Sequence, residues 1–63
     1  MSIAENIGRR RVAARLTQQE AADRAGIAQG HWSEYETGKR KPTVETLYRL
    51  AEVLGVRAAD LID

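Results

Sequence analysis

Apolar residues recur along this chain at the spacing of an α-helix, and no segment alternates between apolar and polar as a half-buried strand would. The clearest pattern lies near the C-terminus, with the i, i+3, i+4, i+7 spacing of a helix face that packs on a core. Its members are Leu47, Leu50, Ala51 and Leu54. Thr43 is a typical N-cap before this segment, and Gly55 is a typical stop after it. A helix is therefore predicted between these two residues.

The N-terminal segment predicts a basic helix from about residue 2 to residue 14. Ile3, Ile7 and Ala14 lie at spacings of four and seven, so we expect them to face the core. Three consecutive arginines, residues 9–11, interrupt the apolar content of this helix. Its exposed surface should therefore be positively charged.

The stretch TQQE, Thr17 to Glu20, predicts the start of a second helix. It matches a capping box, in which each of these two side chains accepts a hydrogen bond from the other residue's backbone amide. Gly26 ends the helix, because glycine adopts the left-handed conformation of a helix stop without a side-chain clash. The second helix therefore covers residues 18–25.

Two further helices complete the predicted fold. One spans residues 28–37 and stops at the following glycine, and the other spans residues 58–62 and lays Leu61 or Ile62 over the core. The predicted fold class is all-α, a compact bundle of five short helices that forms one domain over the whole chain, 1–63. A chain of this length buries only about 60% of its unfolded surface, so small errors in its core should matter.

Composition excludes several classes of protein. The chain has no cysteine and one histidine, so we expect no disulfide, no metal site and no cofactor. No apolar run approaches the roughly 20 residues of a membrane span, and no signal peptide is present, which predicts a cytoplasmic protein without a membrane partner. It also lacks a nucleophile–base pair at interpretable spacing and is too short for a water-excluding pocket. We therefore expect neither an enzyme nor a small-molecule site.

The net charge of +1 conceals an uneven distribution. Residues 1–16 contain four arginines and one glutamate, and residues 39–41 are Lys-Arg-Lys, whereas the segments between and after them are net acidic. Two basic patches of this kind are suited to a polyanion. Solvated helix ends would have the same charges, so charge alone leaves both interpretations open.

Residues 18–37 meet the requirements of a helix-turn-helix unit. Ala22 provides the small side chain needed where the two helices cross, and Gly26 turns the chain between them. Five further positions must be apolar to fix the angle between the helices. They are Ala21, Ala25, Ile27, Trp32 and Tyr35.

The sequence resembles the lambdoid phage repressor and Cro type of helix-turn-helix protein, the XRE family. The resemblance covers nearly the whole chain, in the segments LTQQEAADRAGI, YETGKRKPTVETLYRLAEVLGV and DLI. It implies a lambda repressor-like domain and a sequence-specific regulator of transcription that binds double-stranded DNA. It further implies a repressor that binds a palindromic operator as a homodimer, with the third helix in the major groove.

The resemblance also implies a set of phosphate contacts. Gln18 opens the second helix, where free backbone amides favour an anion. The basic loop after the third helix would bind the next phosphates, and Thr37 is expected to contact backbone rather than base. The phosphate-binding residues implied are Arg11, Gln18, Thr37, Lys39, Arg40 and Lys41.

An ion pair between Arg11 and Glu36 is a further implication of the family resemblance. It would explain why an acidic residue lies so near the expected DNA surface, because Glu36 would hold Arg11 towards phosphate. The alternative is an ordinary exposed glutamate.

Base contacts are expected from the outer face of the third helix, at Gln29, Gly30, Ser33 and Glu34. Gln29 can form two hydrogen bonds with adenine, and Ser33 can donate or accept. Glu34 can accept from a cytosine amino group, or it is a solvated charge or the partner of a neighbouring cation. Gly30 permits close backbone approach to DNA, or it marks a weak base contact.

Several positions depart from the usual family pattern. Ala28 lies where a serine or threonine commonly caps the third helix. Arg15 lies where glycine is common, so the turn after the first helix is expected to have a different shape. Trp32 replaces a branched aliphatic residue and is interpreted as core, with stacking on DNA or a partner as the alternative. Tyr48 is expected on the surface, and His31 in solvent or near phosphate.

A protein-interaction module on the same scaffold, such as an antitoxin or a regulatory adaptor, is the alternative function. Gly30, Glu34 and the near-neutral charge favour this alternative. The basic loop together with Gln18 and Gln29 favours DNA. The two functions differ in salt dependence, because phosphate neutralisation makes the affinity for DNA fall steeply as salt rises.

Overall fold

Five α-helices make up the computed structural model, which describes residues 2–63 and contains no β-strand in that range. The helices are α1 (Ile3–Ala13), α2 (Gln18–Ala25), α3 (Gln29–Thr37), α4 (Val44–Leu54) and α5 (Ala58–Ile62). The predicted all-α fold and helix order are confirmed. Met1, included in the predicted domain, lies outside the described residues.

Side-chain caps fix the starts of three helices. The predicted capping box between Thr17 and Glu20 is present at the start of α2. A second box, between Ser2 and Glu5, starts α1 and was missed in the sequence. Thr43 accepts a hydrogen bond from the Thr46 amide at the start of α4. The first and third helices each begin one residue later than predicted, because residues 2 and 28 are their N-caps.

Three helices end in the same hydrogen-bonded turn, in which a residue with positive φ follows the helix. Gly26 has this role after α2 and Gly55 after α4, with φ values of 72° and 70°. After α1 the same position is occupied by Arg15, with φ 61°. The amide of Arg15 donates to the Val12 carbonyl and that of Leu16 to the Arg11 carbonyl, the pair of bonds that defines a Schellman motif.

The expectation that Arg15 would change the shape of this turn is therefore wrong. Arginine adopts the conformation that glycine has at the ends of α2 and α4. The left-handed region costs a residue with a Cβ atom roughly 1–2 kcal/mol. The rest of the turn imposes this conformation, through the two backbone bonds that close it.

The core lies between the five helices. Its buried members are Ile7, Leu16, Ala21, Ala22, Ala25, Trp32, Leu47, Leu50, Ala51, Leu54 and Leu61. Leu61 of α5 is buried while Ile62 is exposed, which resolves that alternative. Tyr35 is half-buried against the core, and Tyr48 is exposed as expected. Ala14 was expected to face inward and is exposed, because α1 ends one residue before it.

Asn6 is a buried polar residue that was not identified in the sequence. It is 1% exposed, and its Nδ2 donates to the carbonyl of Leu61 at 2.8 Å. Its Oδ1 accepts from Arg9 at 3.4 Å. This side chain bonds α1 to the end of α5, so the first and last helices are held against each other.

Candidate nucleic-acid interface

Glu36, in the last turn of α3, accepts hydrogen bonds from three other side chains. Arg11 donates to its two oxygens from Nε at 2.5 Å and from Nη2 at 3.3 Å. Trp32 donates through Nε1 at 2.5 Å, and Gln18 through Nε2 at 3.1 Å. The side chain of Glu36 is 10% exposed. The ion pair expected with Arg11 is thus present, and it belongs to a larger network.

Arg11 connects this network to the turn between α1 and α2. Its side chain is 18% exposed, and its Nη1 donates to the carbonyl of Leu16 at 2.8 Å. The guanidinium has five N–H groups, and these bonds leave some of them free to contact a further acceptor. The expected contact between Arg11 and a DNA phosphate stays a prediction.

Trp32 has a role that sequence reasoning missed. Its side chain is fully buried, so the interpretation as core is correct and stacking on DNA or a partner does not fit the structure. Its indole N–H donates to Glu36, one turn further along α3. The spacing of four residues between them was a signal available in the sequence, since such pairs meet on one helix face.

Gln18 and Gln29 lie side by side at the first residues of α2 and α3. Nε2 of Gln29 donates to Oε1 of Gln18 at 3.3 Å, and Nε2 of Gln18 donates to Glu36. The structure therefore brings together an expected phosphate contact and an expected base contact. Both are linked to the same carboxylate through hydrogen bonds.

The charge of Glu36 is stabilised by its donors. Burial alone raises the pKa of this carboxyl, but the hydrogen bonds from Arg11, Trp32 and Gln18 outweigh burial and hold the pKa below its ordinary value. Glu36 is consequently ionised at neutral pH. Its negative charge is neutralised by Arg11 within the protein, which reduces its repulsion towards a nearby phosphate.

Glu34 has a different environment on the same helix. Its carboxylate pairs with Nε of Arg40 at 2.9 Å, and both side chains are partly exposed. This hydrogen bond lowers the pKa of Glu34. Of the alternatives for Glu34, the structure shows the pair with a neighbouring cation. Arg40, expected to bind phosphate, is engaged by this pair in the absence of DNA.

The other expected contact residues lie at or near the surface of α3 and the following loop. Gly30 is exposed, and apart from its chain neighbours and the backbone of its own helix no atom lies within 4 Å of the place where a Cβ would stand. Ser33 is half-buried. The remaining three residues are exposed: Thr37, Lys39 and Lys41. His31 is exposed as well, in agreement with one of its two expected settings.

Other kinds of site have little support in residues 2–63. No group of three or more His, Cys, Asp or Glu side chains in this range could hold a metal ion. None of its helices is both long and apolar enough to cross a membrane.

Comparison with known proteins assigns the family. A helix-turn-helix family model matches residues 7–61 of the chain. The chain belongs to the XRE-type helix-turn-helix family. This confirms the resemblance seen in the sequence, and the family is one of DNA-binding regulators of transcription, not of enzymes.

Named relatives come from several bacteria. An HTH-type transcriptional regulator of Sinorhizobium fredii, y4dJ, is 43% identical over 60 residues, which are 95% of this chain and 78% of that protein. The cryptic phage CTXphi transcriptional repressor RstR of Vibrio cholerae is 34% identical, over 97% of this chain and 54% of its own length. The HTH-type transcriptional regulator YqaE of Bacillus subtilis is 38% identical, over 82% and 45%. The chain thus spans about half the length of the last two relatives.

Proposed function

We propose that this chain binds double-stranded DNA in a sequence-specific manner and represses transcription, with α3 in the major groove. The observation that supports this most strongly is the hydrogen-bonded link between Gln18 and Gln29 above the Arg11–Glu36 pair. Such a link favours one separation between a phosphate contact and a base contact before DNA arrives. Preorganised contacts lose less conformational entropy on binding. The proposed DNA ligand would place the chain in the cytoplasm.

The proposed base contacts are made by Gln29, Gly30, Ser33 and Glu34. Gln29 is the main candidate, because its amide can donate to and accept from adenine. Nε of Arg40 is bonded to one oxygen of the Glu34 carboxylate, so the other oxygen can accept from a cytosine amino group. The remaining N–H groups of Arg40 can contact a phosphate at the same time, so the two contacts can form together.

The proposed phosphate contacts are made by Arg11, Gln18, Thr37, Lys39, Arg40 and Lys41. Lys39 and Lys41 are exposed on the loop that leaves α3. Long cationic side chains at such a position can follow a phosphate without a fixed conformation in the free protein. They would supply affinity that does not depend on base sequence.

A homodimer on a palindromic operator is also part of the proposal. One α3 reaches only a few base pairs, so a second copy is needed for useful affinity. Val44 and Tyr48 of α4 and Ile62 of α5 are large apolar side chains that are 72%, 64% and 53% exposed. Val44 and Tyr48 are four residues apart, on one helix face. A second copy that covered this face would remove them from water.

Selection of duplexes from a random pool tests this function, followed by titration of the selected duplex at several salt concentrations. We expect a consensus with two-fold symmetry, and a log affinity that falls linearly with log salt by roughly 0.9 for each phosphate contact. Gln29→Ala should relax the base preference at one position in each half-site and leave the salt slope unchanged. Retention of no duplex at low salt would instead assign the chain to the protein-interaction class.

A further inference from the structure

Arg15 stands where the two comparable turns of this protein have glycine. The turns after α1, α2 and α4 have the same pair of backbone hydrogen bonds and a positive φ at the same position. Glycine takes this conformation without a clash, whereas in arginine the Cβ atom comes too close to the following carbonyl oxygen. The turn after α1 is thus less favourable than it would be with the residue found in the other two.

The backbone bonds that close the turn hold Arg15 in this conformation, but its side chain makes no bond that offsets the strain. The Arg15 side chain is exposed and makes no hydrogen bond or ion pair with residues 2–63. Arg11, four residues earlier, differs in each respect, because it is largely buried and bonded to Glu36 and Leu16. The guanidinium of Arg15 is therefore not held by any hydrogen bond or ion pair within residues 2–63.

The turn that contains Arg15 is attached to the proposed DNA surface. Arg11 holds the carbonyl of Leu16, the residue after Arg15, and the same guanidinium holds Glu36. Gln18, the proposed phosphate contact at the start of α2, follows Arg15 by three residues and donates to the same carboxylate. The backbone of this turn is thus held in a fixed place beside Gln18.

We propose that Arg15 is an additional phosphate ligand, which contacts the DNA backbone next to the phosphate bound at the start of α2. This inference rests on the proposed DNA-binding function. It gives the exposed Arg15 side chain, which has no partner within the described residues, a phosphate of the DNA as its partner. It also gives a function to a residue whose backbone is strained. The backbone strain at Arg15 is already present in the free protein. The favourable contact of its side chain forms only when DNA is bound.

Two substitutions of Arg15 separate its charge from its backbone conformation. Arg15→Gly removes the charge and the strain, so we expect the melting temperature to rise by several degrees. The same variant should bind a fluorescent mixed-sequence duplex several-fold more weakly at low salt, with the salt slope reduced by roughly 0.9. Arg15→Lys keeps the charge in the strained conformation and should keep the wild-type slope.

Arg49→Gln is the matched control. The side chain of Arg49 is also exposed and also makes no hydrogen bond or ion pair with residues 2–63, but this residue lies in the regular helix α4. Its loss should leave the salt slope unchanged. The proposal is overturned if Arg15→Gly binds the duplex with wild-type affinity and slope, or if Arg49→Gln weakens binding as much. A wild-type protein that shows no salt-dependent binding to any duplex would instead refute the proposed function itself.

Discussion

Glu36 organises the candidate interface through a single carboxylate. Its two oxygens accept from side chains of α1, α2 and α3, which makes it a point where three helices meet. A carboxylate in this position would be costly to bury alone, but here each oxygen has charged or polar donors. The stability of this region and the position of Gln18 therefore depend on the same residue.

Substitution of Glu36 by alanine should be strongly destabilising. Arg11 would lose its counter-charge in a setting where it is largely buried, and the Trp32 indole N–H would lose its acceptor. Breaking a buried pair in this way costs about 3 kcal/mol or more. Urea denaturation measures this as a loss in the free energy of unfolding.

Glu34→Ala is the control for that measurement. It removes a glutamate from the same helix, but the pair with Arg40 is partly exposed and screened by water. The change in its unfolding free energy should be much smaller than that of Glu36→Ala. Equal losses in the free energy of unfolding would show that the Arg11–Glu36 pair contributes no more stability than the exposed Glu34–Arg40 pair.

Gly30→Ala tests the two interpretations of the exposed glycine. Apart from its chain neighbours and the backbone of α3, no atom lies within 4 Å of the added methyl group, and alanine is favoured over glycine in a helix by up to about 1 kcal/mol. We therefore expect a more stable protein in thermal unfolding. If the affinity for the selected duplex is unchanged, the hypothesis of close backbone approach at Gly30 is wrong. A loss of affinity in the more stable variant would support it.

The α3 helix has weak support at its start and strong support at its end. Its N-cap, Ala28, has no side chain to accept from the free amides, whereas α1, α2 and α4 each begin with a serine or threonine that does so. Gly30 adds a flexible residue in the first turn. The other end is held through Trp32 and Glu36. The turn that contains Gln29 is thus the part of α3 with the least intrinsic stability.

Replacement of Ala28 by serine should supply the missing cap. A serine at this position accepts from an amide of the first helical turn and stabilises such helices by about 1 kcal/mol. Thermal unfolding should show a higher midpoint than for the wild type. Ala13→Ser, at an exposed position in the last turn of α1, adds the same hydroxyl where no cap is needed and should not stabilise. A midpoint for Ala28→Ser at or below the wild-type value would contradict this explanation of α3.

The whole bundle is held by contacts between residues that are far apart in the chain. Asn6 bonds to Leu61, which lies 55 residues later, and Arg11 bonds to Glu36, which lies 25 residues later. Both contacts start from α1, so this helix joins the helix-turn-helix unit to the C-terminal end. In the described residues no buried side-chain nitrogen or oxygen lacks a hydrogen-bond partner.

Acid should destabilise the protein in a way that depends on Glu36. The folded-state pKa of Glu36 is lowered from the ordinary glutamate value of 4.5, so its stabilising effect is complete above that value and is lost as pH falls through the folded pKa. The free energy of unfolding should therefore decrease as the pH falls below 4.5. Glu36→Gln should be less stable than wild type at pH 7, and this difference should shrink in acid.

Glu52→Gln provides the comparison for the acid experiment. Glu52 is exposed on α4, and its side chain makes no hydrogen bond or ion pair with residues 2–63. Its replacement should leave a pH profile parallel to that of the wild type. A Glu36→Gln profile that is also parallel to the wild type would mean that the carboxylate titrates alike in the folded and unfolded chain.

Helix order, the Thr17 and Thr43 caps and the ends at Gly26 and Gly55 could all be predicted from the sequence. These features depend on residues within about one helical turn of each other, so their physical cause is visible in a short window. The Ser2 capping box was equally local and could have been predicted. The prediction for Ala14 was wrong because α1 ends at Ala13, one residue earlier than predicted, and the Ala14 side chain is exposed.

The connections around the candidate site were decided by packing. Arg15 takes a left-handed conformation because the turn after α1 must close with the same two bonds as the other turns. Glu34 meets Arg40 because the loop after α3 folds back on that helix. The spacing of residues in the sequence indicates several possible hydrogen-bond partners for a carboxylate. Only the packed helices select among them, because each choice depends on which side chains meet across the bundle and which are shielded from water.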